Sequence, residues 1–154
     1  MPGNKIAVRL NQQRPIPLDI NLSCIEGEIL VIVGPSGSGK TTILRSICGI
    51  YHPESGSINC NNETWLDTDR QINLPVQQRK VGMMFQQYSL FPHMSAAKNI
   101  EVALSSKYKP KQEGRIEELL ELVHMQSLGD RYPRQLSGGQ QQRIALARAL
   151  ARDP

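Results

Sequence analysis

The chain has 154 residues, with 18 Lys and Arg against 14 Asp and Glu, a formal net charge of +4 and an isoelectric point near 9.1. Hydrophobic content of 39% and charged content of 21% fit one soluble globular domain with a small subdomain, and exclude a disordered chain or a coiled coil. The longest purely aliphatic run, Ile29–Val33, is far short of the roughly 20 residues of a spanning helix. No basic-then-apolar leader opens the chain, so it is expected in the cytosol unless a partner holds it at a membrane. Cys24, Cys48 and Cys60 form no CxxC pair and read as reduced thiols rather than a zinc ribbon or redox pair. The basic residues are spread, with a small concentration at Arg143, Arg148 and Arg152, which predicts a solvated surface and no nucleic-acid partner.

Ile6–Leu10 reads as a strand, and Leu18, Ile20, Leu22 and Cys24 alternate with polar residues as in a half-buried strand. After Glu26-Gly27-Glu28 turns the chain, Ile29–Val33 has the β-branched, fully apolar pattern of a central parallel strand buried on both faces. The glycine-rich stretch Gly34–Gly39 follows, then helical spacing over Lys40–Ile50 with Ile43, Leu44, Ile47 and Ile50 on one face. Pro53-Glu54-Ser55-Gly56 is a turn, and Ser57–Cys60 with Thr64–Leu66 predicts a hairpin about Asn61-Asn62. Val81–Phe85 predicts another strand. Ser95–Ser105 and Glu113–His124 predict helices, the second with Ile116, Leu119, Leu120 and Val123 on one face. Gly129–Gln135 is a polar loop before a last helix from about Ser137 to Arg152. A break near Phe91-Pro92-His93 divides the chain into residues 1–93, an α/β core carrying the glycine loop, and residues 94–154, a helical subdomain.

Residues 34–42, Gly34-Pro35-Ser36-Gly37-Ser38-Gly39-Lys40-Thr41-Thr42, fit GxxxxGK[ST]. Gly34, Gly37 and Gly39 permit backbone angles closed to other residues, so successive N–H groups can face phosphate oxygens. The helix starting near Lys40 adds its positive end. Lys40 is expected at the β- and γ-phosphates, the Thr41 hydroxyl on Mg²⁺ and Thr42 near the α-phosphate. This motif alone leaves ATPase, GTPase and kinase open. Residues 136–143 read LSGGQQQR: Ser137 with Gln140 is a capping box, and Gly138 and Gly139 bare the first turn of the helix. Physics alone reads this as an ordinary capped helix.

The phosphate loop and LSGGQ at this separation resemble the ATPase subunits of ATP-binding cassette (ABC) transporters, over nearly the whole chain. The resemblance implies an α/β P-loop NTPase fold with a mixed sheet and a helical subdomain, and ATP with Mg²⁺ as cofactors. It implies that Ser137, Gly138, Gly139 and Gln140 meet the γ-phosphate held on the loop of a second copy, so that a homodimer sandwiches two ATPs. VGMMFQQ at 81–87 resembles the segment whose glutamine senses Mg²⁺ and the attacking water, which by position is Gln86, with Gln87 unassigned. Catalytic roles thus fall to Gln86 and Lys40, and metal contacts to Thr41 and Gln86. The implied partners are transmembrane permease subunits and, indirectly, a substrate-binding protein, at the cytoplasmic face of the inner membrane. His93, without ligand-spaced partners, reads as a loop-packing residue.

TWLD at 64–67, INLPVQQRKVG at 72–82 and FQQYSLFPH at 85–93 resemble molybdate importer ATPases, while sulfate, iron(III), polyamine and sugar importers share parts of the pattern. The family's adenine-stacking aromatic falls near Asn11 here, and no aromatic precedes Tyr51; Arg9 or Arg14 would supply at best a cation–π substitute. The family's Asp-Glu strand, expected after the LSGGQ helix, does not occur before Pro154. The sequence therefore reads as a truncated ATPase lacking a central strand and the general base, expected to be inactive alone and to stay monomeric or aggregate. Two alternatives stand beside an importer subunit: a non-catalytic fragment that at most binds nucleotide, and a soluble non-transport ABC protein.

Overall fold

Alternation of apolar and polar side chains builds the first sheet. In the computed structural model, which describes residues 5–104 and 112–154, β1 is Lys5–Gln12 and β2 is Leu18–Ile25. They pair antiparallel, Val8 opposite Leu22 and Leu10 opposite Ile20, with Val8, Leu10 and Gln12 buried on one face of β1. On its other edge β1 pairs with β3 (Ser55–Cys60), and β3 with β4 (Glu63–Asp67). The predicted hairpin forms as expected: Asn61 and Asn62 take φ of 48° and 68°, the left-handed pair that asparagine tolerates and a two-residue loop requires. A short β5 (Ile72–Asn73) completes the order β2-β1-β3-β4-β5, antiparallel throughout. α1 (Lys40–Cys48) is shorter than predicted, because Gly49 takes φ of 80° and ends it. Ile43, Ser46 and Cys48 are its buried residues; Leu44 and Ile50, expected on the buried face, are exposed.

Two predicted strands do not form. Ile29–Val33 takes no regular structure and pairs with no strand, with Ile29 91% and Val33 84% exposed. A strand buried on both faces exists only through its neighbours, and among the described residues every strand of the sheet pairs elsewhere. Val81–Phe85 lies against a helix instead: the backbone at Gly82 approaches Ala149 so closely that a Cβ there would stand 2.5 Å from the Ala149 carbonyl oxygen.

The chain forms two compact units, the first up to Arg79 and the second from Lys80 to Pro154. In the second, α2 (Ala96–Glu101), α3 (Gln112–Leu122) and α4 (Gly138–Leu150) enclose a core that includes Ile100, Ile116, Leu119, Leu120, Val123 and Ile144. The predicted apolar face of α3 is thus the buried one. α2 begins one residue after its cap Ser95 and stops at Glu101; Ser105, where the predicted helix ended, lies outside the described residues. The sequence break at His93 falls inside the second unit. Asn99, fully buried, explains why: its Oδ1 accepts from the Phe91 N–H at 2.8 Å, and its Nδ2 donates to the carbonyls of Phe91, Met94 and Ser95. The segment before α2 is thereby tied to the helices.

Candidate functional site

The loop Gly34–Gly39 turns into α1 through two left-handed glycines, Gly37 at φ 81° and Gly39 at φ 88°. At Gly39 a side chain is excluded twice over, since a Cβ would also collide with the Leu18 side chain of β2. Gly39 is the N-cap of α1, no side chain caps this helix start, and no acidic residue occupies its first turn. The first-turn N–H groups of Lys40, Thr41 and Thr42 therefore gather at an exposed loop with the positive helix end behind them, an arrangement suited to anionic oxygen. Lys40 folds over the same loop: its Nζ donates to the Gly34 and Pro35 carbonyls at 2.8 and 2.6 Å, with the Ser38 Oγ at 3.4 Å. The lysine charge and the N–H groups thus converge on one patch. The Thr41 hydroxyl on the exposed first turn is a hard oxygen donor, which fits Mg²⁺.

The segment before β2 borders this loop. Gln12 donates from Nε2 to the Ile16 carbonyl at 2.7 Å, and the Glu54 carboxylate accepts from the Gln13 and Arg14 N–H groups. Ile16 and Leu18 are the side chains that touch Gly39. Asn11 stays exposed at the end of β1.

In the second unit, Ser137 caps α4 as expected: its Oγ accepts from the Gln140 N–H at 3.3 Å, and the Gln140 side chain accepts from the Ser137 N–H at 2.8 Å. Gly138 and Gly139 are exposed, with open space where a Cβ would stand. Gln141, which the sequence reading passed over, donates to the Pro133 and Leu136 carbonyls and fixes the approach to the cap. Gln86 is exposed in a turn closed by the Tyr88 N–H on the Phe85 carbonyl. Gly34–Thr42 are therefore brought together in the first unit, while Gln86 and Ser137–Gln140 belong to the second.

Two arginines were also missed. Arg148 donates to the Ser89 and Tyr88 carbonyls at 2.7 and 2.8 Å and lies over the Phe91 ring, at the wall of a groove of about 540 Å³ lined by Phe85, Met94 and Val102. Its burial lowers its pKa from the ordinary guanidinium value. Arg79 is buried in the first unit. Neither is signalled by a local motif, because most of their partners are backbone carbonyls that only folding brings to them. His93 lies 6.0 Å from the Phe91 ring, in keeping with loop packing. All three cysteines are free. Burial raises the thiol pKa of Cys48, which Arg79 partly opposes. Among the described residues no group of three or more His, Cys, Asp or Glu could hold a metal, and no helix is long and apolar enough to cross a membrane.

A family model described as ABC transporter matches residues 18–154. A sulfate/thiosulfate import ATP-binding protein of Agrobacterium fabrum is 46% identical over 140 residues, covering 88% of this chain and 39% of that protein. A spermidine/putrescine import ATP-binding protein of Ruegeria pomeroyi is 47% identical over 137 residues, covering 88% and 36%. The chain thus spans about two fifths of the length of the curated relatives it matches. A dimeric ATP-binding cassette solved in a post-hydrolysis state with ADP and Pi superposes with a TM-score of 0.75 at 32% identity, covering 97% of this chain and 70% of that one.

Proposed function

The chain belongs to the ABC transporter family, and from that premise we propose that it is the ATP-binding part of an importer subunit that couples ATP hydrolysis to uptake. The observation that carries the proposal is the exposed start of α1, capped only by left-handed Gly39 and overlaid by the Lys40 ammonium. Gly34, Pro35, Ser36, Gly37, Ser38 and Gly39 supply the cradle, Lys40 takes the β- and γ-phosphates, and Thr42 lies at the α-phosphate. Thr41, joined by Gln86, would hold Mg²⁺, which would supply charge neutralisation for the phosphoryl group. Gln86 can donate and accept at the attacking water. Ser137, Gly138, Gly139 and Gln140 of a second copy close on the γ-phosphate, adding a second helix N-terminus to its charge. The loop after Gln86 faces the permease, which keeps the subunit peripheral at the cytoplasmic membrane face.

The cargo we propose is a tetrahedral oxyanion. Sulfate/thiosulfate names among the relatives support that class, and the strings at 64–67, 72–82 and 85–93 point within it to molybdate, which those relatives' names do not specifically support. A polyamine-import relative of equal identity indicates that this subunit does not itself read the cargo. The test is uptake of labelled sulfate and molybdate by cells whose own gene carries Lys40→Ala. Loss of oxyanion uptake is expected, and unchanged uptake of both would refute the assignment.

A further inference from the structure

Arg79, 1% exposed, spends every N–H of its guanidinium on the fold around the far end of α1. Nε donates to the Leu74 carbonyl at 2.9 Å. Nη1 donates to the Ser46 and Ile47 carbonyls, each at 2.8 Å. Nη2 donates to the Trp65 carbonyl at 3.1 Å and to Asn73 Oδ1 at 3.0 Å. The guanidinium carbon stands 5.9 Å from the Trp65 ring centroid. Ser46 and Ile47 lie in the last turn of α1, where a positive charge complements the negative helix end; the Ser46 carbonyl also accepts from the Gly49 N–H at 3.0 Å. Gly49 is pressed against the arginine, and a Cβ there would stand 2.8 Å from it. Trp65 lies on β4 and Asn73 on β5, so one side chain joins the helix end to two strands of the sheet.

The other end of α1 is the phosphate loop. The helix has nine residues, about 13 Å. Its own buried face is small, Ile43, Ser46 and Cys48, and Ser46 spends its hydroxyl on the Thr42 carbonyl. A helix held by so few side chains takes its direction from whatever grips its end, and a binding cradle loses function when displaced by about half an ångström. We propose that Arg79 is a positioning residue for phosphate binding: by locking the C-terminal turn of α1 to β4 and β5, it sets where Lys40 and the loop N–H groups point. The inference rests on the reading of Gly34–Thr42 as the ATP site. It adds a built-in reporter, because Trp65 is the chain's single tryptophan and lies beside the guanidinium.

The test compares the unmodified chain with Arg79→Lys, which keeps the charge and loses the planar fork. A fluorescent ATP analogue and inorganic tripolyphosphate are titrated with Mg²⁺, and Trp65 emission is followed. Arg79→Lys is expected to weaken both ligands at least tenfold, because the fault lies in the phosphate cradle and not the base. Mg-ATP should change Trp65 emission in the unmodified chain and leave it unchanged in Arg79→Lys. A merely structural arginine would lower the unfolding temperature and leave both affinities and the emission response intact, and that result overturns the proposal. Far-ultraviolet circular dichroism checks the fold. If Arg79→Lys does not fold, Asn73→Ala decides: freeing one arm from an exposed acceptor should weaken binding roughly threefold, and unchanged binding overturns the role. An unmodified chain that binds no ATP refutes the site itself, and the positioning role with it.

Discussion

At the scale of single residues, backbone geometry and buried hydrogen bonds decide which positions tolerate change. Gly39 holds φ of 88° against Leu18, so Gly39→Ala adds a strained angle to a collision at the mouth of the cradle. A tenfold or greater loss of ATP affinity is expected, measured by titration with a fluorescent nucleotide. Asn99→Ala strands the Phe91 N–H and removes a donor from the Met94 carbonyl, while the Phe91 and Ser95 carbonyls keep backbone donors. A loss of about 1–3 kcal/mol in urea unfolding should follow. The two residues differ in how they can be found. Gly39 belongs to a local spacing whose chemistry is legible, and the structure bends it as the spacing requires. Asn99, Arg79 and Arg148 draw their importance largely from backbone groups that only the folded chain brings to them, and no local motif marks them.

At the scale of elements, the capped start of α4 was legible because a capping box is a contact within four residues, Ser137 to Gln140. Ser137→Ala should cost about 1 kcal/mol of stability by thermal unfolding. The Asn61-Asn62 hairpin was legible for the same reason. The strands expected over Ile29–Val33 and Val81–Phe85 were not, because strand identity is a relation between partners, and apolar, β-branched composition names only one side of it. The unpaired, exposed Ile29–Val33 run carries no charge and no proline, the composition of a self-pairing segment. Val31, 71% exposed, contacts water already, so Val31→Lys should raise soluble yield of the 154-residue chain and slow light-scattering growth without lowering its unfolding temperature. A lower unfolding temperature with no gain in solubility would show that the run is buried in solution.

At the scale of the whole molecule, sequence alone gave an α/β nucleotide-binding fold with a helical part, and the family match and structural likeness agree. The expected boundary at His93 and the observed division at Arg79 differ because side chains of the helical unit, Asn99 and Arg148, hold the intervening segment. With Ile29–Val33 unpaired, no paired strand leads into the phosphate loop, which is held by α1 and by Ile16 and Leu18 at Gly39. The 154-residue chain is therefore expected to form no discrete dimer with Mg-ATP in light scattering coupled to gel filtration. An ATP-dependent dimer abolished by Ser137→Arg would show that the loop is already held firmly enough. The central claim, that Gly34–Thr42 is an ATP phosphate site, is tested most directly by calorimetric titration of Mg-ATP into the unmodified chain and Lys40→Ala. Saturable binding by the unmodified chain and its loss in Lys40→Ala is the result predicted; equal affinities, or no binding by either, would contradict it.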